Sequence, residues 1–258
     1  MRVAKAVFAL VVGLYLILPL LAILPLAFTS GVLLSYPISE PSLRWFEVLL
    51  TDEIWRRSIL NSLLIGGGAT ALSVVLGTLG ALGLRDGLVP LSGTLRTLVL
   101  LPMVIPAVVL GAGLQILLTP LGLANTYVGV IVSHTVLCLP FVMISVTASL
   151  GGIDRNAERA AASLGATPGT VFRRITLPLA APGIVTGAVF AFATSLDEVV
   201  ITLFVAGPSQ RTLARQMFAS IRENISPAVA SAAFVIILGT LCLAGLAAAL
   251  RRRDQCAA

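Results

Sequence analysis

Charge is what this chain has least of. Only 11% of its 258 residues are Asp, Glu, Lys or Arg, against about a quarter in an ordinary globular domain. With a mean hydropathy of +1.05, a water-soluble fold is excluded. Lysine is nearly missing: Lys5 is the single one. A G-x-x-x-x-G-K-[ST] phosphate loop therefore cannot be formed, and the chain does not hydrolyse ATP by that route. His134 is the lone histidine. It follows Ser133 in an apolar run; a membrane protease needs a serine and a histidine converging from different helices, and the Gly207-Pro208-Ser209 run lies outside the predicted spans. Cys138, Cys242 and Cys256 are far apart, which excludes a disulfide framework and any recognisable metal spacing. The net charge of +6 does not point to nucleic acid, because the arginines gather at the ends of apolar runs. Internal repeats and low-complexity tracts are also missing.

What remains is a succession of long apolar runs. Each crossing of about 30 Å of hydrocarbon needs roughly 20 apolar residues. The pattern predicts an all-α polytopic membrane protein with six spans, near 6–29, 59–84, 96–119, 126–149, 183–206 and 227–250. The first run is longer than the roughly 7–15 residues of a signal-peptide core and has no clean cleavage site after it, so it reads as a retained span. The segment SLRWFEVLL, within the connection 30–57, alternates as a helix lying flat at an interface would. Glycines 66, 67, 68, 77, 80 and 83 in the second span suit close helix packing in lipid. Pro102 and Pro106 predict a bend or broken turn in the third span. Arg85, Asp86 and Gly93 fall in the loop that precedes it.

Six spans put both termini on one side. Arg2, Lys5, Arg85, Arg96, Arg155, Arg159, Arg173, Arg174, Arg251, Arg252 and Arg253 share that side, and Arg44, Arg56, Arg57, Arg211, Arg215 and Arg222 take the other. The excess assigns the termini and the loop 150–182 to the cytosol.

That loop carries strong local signals. Asp154 is an N-cap, a helix runs from Arg155 to Leu164, and Gly165 stops it. Thr167-Pro168 starts a second helix, which Leu177-Pro178 is expected to end. Ala160, Ala161 and Ala162 give the first helix a face with little side-chain bulk. Such a surface suits insertion in a groove on another protein; the plain alternative is a well-capped connection.

The other polar feature lies in the fifth span. Asp197 and Glu198 interrupt an apolar run, at an insertion cost of roughly 2.5–3.5 kcal/mol each, so a cavity or a partner is expected to face them. On a continuous helix Thr194, Glu198 and Thr202 form one polar stripe, with Asp197 at its edge. This stripe is a candidate lining for a polar or cationic substrate path. An acid pair satisfied within the structure is the alternative.

Taken together, Ala160, Ala161, Gly165, the nine residues 166–174, and then Ile175, Leu177 and Pro178 resemble the E-A-A coupling loop of ABC-importer permeases. Arg159 stands where that pattern has Glu, and Glu158 lies one place earlier. The run Ser195-Leu196-Asp197-Glu198-Val199-Val200-Ile201, the run Phe204-Val205-Ala206-Gly207-Pro208, and Ile221-Arg222 with Pro227 resemble permeases of the polyamine type. Leu213-Ala214 stands in place of their Leu-Pro. The resemblance covers most of the chain, SLRWF and NSLLI included. It implies a single transmembrane permease domain over 1–258 of the type I importer fold, in a bacterial inner membrane. It implies that Glu158, Ala160, Ala161, Gly165, Ile175, Leu177 and Pro178 dock an ATPase. It further implies two ATPase subunits holding ATP and Mg, a second permease chain, a periplasmic solute-binding protein that meets 30–57 and 207–226 with Arg222 as one contact, and no cofactor or metal on this chain. An ion-coupled transporter or channel is the alternative reading from composition alone.

Overall fold

The computed structural model describes residues 2–38, 40–85, 91–223 and 225–256; Asp86 of the third-span approach lies outside them. Among the described residues the chain is helical, and the one strand-like contact is an isolated bridge between Thr29 and Pro41. Three long helices form the centre: α3 (Glu53–Arg85), α6 (Tyr127–Gly151) and α9 (Leu177–Asp197) pack on one another. The reason is legible in α3. Its buried residues Ser58, Asn61, Ser62, Ile65, Gly66, Ala69, Ser73, Gly77 and Ala81 recur every three or four positions, a seam of mostly small side chains. In lipid, where apolar tails give helices no hydrophobic reason to associate, such seams let backbones approach. The backbones come close at Gly183 and Gly187 on α9, where an added Cβ would stand 2.6 Å from Ser145 O and 2.8 Å from Val142 Cα on α6.

Around this triad the remaining elements are arranged by their breaks. The first helix, α1 (Arg2–Ile23), runs into a 3-10 turn at Leu24–Phe28. Its most apolar stretch buries nothing within the chain. The amphipathic α2 (Arg44–Thr51) is the interfacial helix expected from SLRWF; Trp45 and Leu49 pack with Trp55, Leu213, Ala228 and Ala232. Trp45 Nε1 donates to Gly31 O at 3.0 Å, and Ser231 Oγ donates to Ala27 O at 2.9 Å. These bonds tie the connection after α1 to α12 (Ala228–Cys256).

The third span is not one helix. The helix α4 (Ser92–Leu100) passes through a 3-10 turn at Leu101–Met103 and then turns by 105° into α5 (Ala107–Leu118). Pro102 sits in the turn, and Pro106 is the N-cap of α5 with an extended ψ of 131°. Proline removes a backbone donor and biases its predecessor away from helix, so two in five residues stop the chain where one would kink it. Among the described residues five helices are long and apolar enough to cross a membrane, six if this bent pair counts as one.

A second difference concerns Leu177-Pro178. The expected stop there is absent. The short α8 (Pro168–Val171), a π-turn at Phe172–Thr176 and α9 form one run of 30 residues, Pro168–Asp197. In the wide turn the Leu177 N–H reaches back five residues to Phe172 O. That turn moves the carbonyl ladder aside for the Pro178 ring, so the helix survives its proline.

Candidate functional site

The loop 150–182 folds as its capping signals require. Asp154 Oδ1 accepts from Asn156 N at 2.9 Å and opens α7 (Arg155–Ser163). The helix closes with two reverse bonds, Gly165 N to Ala162 O at 3.0 Å and Ala166 N to Ala161 O at 3.1 Å. This is a Schellman motif, and it puts Gly165 in the left-handed region at φ +85°. Thr167 then caps α8, with Pro168 in the first helical position. No residue of α7 is buried, and Leu164 at its tip is 90% exposed. Ala160 and Gly165 are open to solvent and Ala161 is half-buried, while Ile175 is half-buried and Leu177 and Pro178 are exposed.

Glu158 faces the other way. Its Oε1 accepts from Arg85 Nη1 at 2.9 Å and from Thr176 Oγ1 at 2.7 Å. One carboxylate thus joins the end of α3, the middle of α7 and the turn that leads into α9. Partial burial works to raise its pKa, but the Thr176 hydroxyl and the Arg85 guanidinium outweigh this and hold it below the ordinary carboxylate range. Arg155 Nη2 adds a bond to the carbonyl of Arg85 at 2.8 Å, closing the C-terminus of α3. The carboxylate of Glu158 thus turns inward, where the resemblance had it dock, whereas Ala160 and Gly165 are exposed and Ala161 is half-buried.

The acids of the fifth span are separated by a helix break. The helix α9 ends at Asp197, Glu198 is extended at ψ 113°, and α10 (Val200–Val205) starts anew. Thr194, Glu198 and Thr202 therefore do not share a stripe. Glu198 Oε1 accepts from Ile201 N at 2.7 Å, so its carboxylate caps α10. Three consecutive β-branched residues, Val199, Val200 and Ile201, favour the interruption. Thr202 is fully buried. Its hydroxyl donates to Glu198 O at 3.1 Å and lies 3.1 Å from His134 Nε2. Ser195 Oγ lies 2.7 Å from His134 Nδ1. Because the single Thr202 proton goes to Glu198 O, His134 Nε2 is the donor to Thr202 and Nδ1 accepts from Ser195. The imidazole is a satisfied core group. Of the four residues proposed for a path, Asp197 is exposed, Thr194 and Glu198 are half-buried, and Thr202 is sealed inside. Asp197 opens on a cleft of about 320 Å³ with Val199, Met217, Phe218 and Ile221 on its walls.

Sequence reasoning missed the residues that hold this break. Arg215, on α11 (Leu213–Glu223), donates through Nη1 to Ala206 O at 2.7 Å and Thr202 O at 3.2 Å, at the C-terminal end of α10. Asn61 Nδ2 donates to Ser209 O and Arg211 O, both at 2.9 Å, and Ser62 Oγ accepts from Leu213 N at 2.8 Å. A polar pair, Asn61-Ser62, at the start of an apolar helix was the available signal.

A bundle with a small-residue seam, a helix broken at an acid inside the bundle, and a capped helical loop projecting from it define a polytopic membrane protein with a projecting loop. Comparison with known proteins gives the same class. The model of the binding-protein-dependent transport system inner membrane component matches residues 73–253. The putrescine transport system permease protein PotI of Escherichia coli K12 is 33% identical over 241 residues, 91% of this chain and 85% of that one. The spermidine/putrescine permease protein PotC of Haemophilus influenzae is 28% identical over 250 residues, 96% of each. The molybdenum permease protein ModB of Mycobacterium bovis is 35% identical over 218 residues, 79% of this chain and 83% of that one. Among solved structures, a bacterial alginate ABC transporter superposes with a TM-score of 0.74 at 18% identity, covering 98% of this chain and 95% of its own; at that identity the likeness is one of fold. The chain belongs to the binding-protein-dependent transport system inner membrane component family, and it is a permease subunit of an ABC importer.

Proposed function

We propose that this permease moves a polyamine, or a related small organic cation, across a bacterial inner membrane. The whole chain acts as one transmembrane domain with both termini in the cytosol. It pairs with a second permease chain, and two ATPase subunits holding ATP and Mg seat on residues 150–182. A periplasmic solute-binding protein delivers the solute to 30–57 and 207–226. The observation that carries this reading is α7. None of its residues is buried, it is capped at both ends and has little side-chain bulk at Ala160 and Ala161, yet it is tied through Glu158 to two central helices. Force applied to it reaches α3 and α9 directly, which is what a rigid-body switch between outward and inward states requires. The arginine excess on the side of the loop supports the orientation. The names of PotI and PotC support the solute, as does the exposed acid Asp197. The likeness to ModB, named for molybdenum transport, favours a soluble form of molybdenum such as molybdate as the second reading.

Affinity purification of the tagged chain in mild detergent tests the assembly. An ATPase and a second permease should accompany it, and the reconstituted complex should take up labelled putrescine or spermidine with ATP and binding protein present. Solute pumping by vesicles that contain this chain alone would overturn the reading. So would a tag between Arg155 and Arg174 that is reachable only from outside the cell.

A further inference from the structure

A cleft of about 330 Å³ lies where α3, α4, α6 and α7 meet, apart from the path and the exposed face of the loop. Three arginines line it, Arg85, Arg96 and Arg155, together with Ser92, Thr147 and Met143, and no carboxylate is among its described lining residues. Its volume falls in the range of roughly 300–1,000 Å³ typical of small-ligand sites. Arg85 is the telling residue. Its side chain is 11% exposed, and one nitrogen, Nη1, is engaged by Glu158. The other, Nη2, is buried without a hydrogen-bond partner. A buried guanidinium N–H left unpaired is costly, and an anionic oxygen in the adjoining cleft would satisfy it.

The position of the cleft selects the source of that oxygen. Arg85 ends one helix that meets the requirements for a membrane span, and Gly151 ends another. The cleft therefore lies at the level where hydrocarbon gives way to headgroups. Beside it α4 and the turn after it present Leu95, Leu98 and Leu101, all exposed. A basic pocket between helix ends, flanked by an apolar surface, fits a phosphodiester whose acyl chains lie along that surface. We infer that the cleft binds the headgroup of an anionic phospholipid, held by Arg85, Arg96 and Arg155. The lipid would brace α7, because Arg85 holds Glu158 and Arg155 opens that helix.

The test is native mass spectrometry of the full chain, purified in mild detergent and offered equal amounts of phosphatidylglycerol and phosphatidylcholine. One phosphatidylglycerol should be retained preferentially. Arg96→Gln, an exposed position, should cut that preference by about fivefold, the effect of one basic residue near an anionic surface. Arg57→Gln, at the far end of α3, should leave it unchanged. Equal retention of the two lipids would overturn the inference, as would the same loss in both variants, which would mark bulk charge. Complete displacement of phosphatidylglycerol by millimolar inorganic phosphate, and not by chloride of equal ionic strength, would reassign the cleft to a free anion and overturn the lipid assignment.

Discussion

At the scale of single residues, Gly165 separates two explanations that look alike in the sequence. A substitution there could act by blocking a docking partner or by straining the backbone. The position has open space, with nothing within 4 Å of an added Cβ. What it has instead is a left-handed backbone, φ +85°, which costs roughly 1–2 kcal/mol for a residue with a Cβ. Gly165→Ala should therefore loosen the end of α7 and lower ATP-coupled uptake, while Gly165→Asn, which tolerates that conformation, should retain more activity than Ala. Comparing the three proteins in proteoliposomes checks this; equal losses for Ala and Asn would make bulk rather than backbone the cause. Ser195 gives a second case. Removing its hydroxyl leaves His134 Nδ1 buried without a donor, so Ser195→Ala should destabilise the protein by about 1–3 kcal/mol, read as a lower melting temperature in detergent. The same residue shows where the sequence stops being informative. Ser195 and Thr202 were visible as polar residues in an apolar run, but their partner, His134, is 61 and 68 positions away. Only packing brings the three together.

At the scale of elements, the capping residues spoke clearly and the prolines did not. Asp154, Gly165, Thr167 and Pro168 act on the backbone within a few residues, so their consequences were readable as a string: α7, its Schellman stop and the start of α8. Pro106 and Pro178 look alike in sequence and do opposite things. Beside Pro106 the chain breaks by 105°; before Pro178 a π-turn lets the helix continue. The difference depends on whether neighbouring backbone groups can be satisfied in another register, and the sequence does not state that. The Glu158 tie was also out of reach, because Arg85 lies 73 residues earlier. It yields a pH prediction. The folded pKa of Glu158 is depressed, so its contribution is complete above the unfolded value near 4.3 and is lost as pH falls through the lower folded value. The protection of α7 amides against hydrogen exchange, taken relative to the intrinsic exchange rate at each pH, should therefore fall on acidification below about pH 4. Glu158→Gln should show fast exchange at neutral pH with no such dependence. An unchanged exchange rate in that variant would mean that the carboxylate does not hold the loop.

At the scale of the whole molecule, the chain looks unfinished. The most apolar stretch of α1 buries nothing within the chain, and only 12% of that of α12 is buried, against half of α6. If the proposed second permease chain covers those faces, Asp197, exposed at the end of α9, is the acid whose removal tests a path between the two. Glu198 is committed to α10, so the two adjacent acids have divided their roles: one holds the helix break and the other keeps its charge outward. Asp197→Asn should then depress uptake of a dication several-fold while leaving the melting temperature nearly unchanged, since no described hydrogen bond depends on its carboxylate. Glu198→Gln should do the reverse in part, lowering stability by weakening the cap by about 0.5–2 kcal/mol. Parallel uptake assays with putrescine and with molybdate decide the sign. A path for cations loses putrescine transport when Asp197 is neutralised; a path for oxyanions carries molybdate and is indifferent to that loss or gains from it. Equal loss of both solutes would assign Asp197 to the architecture and leave the path to other residues.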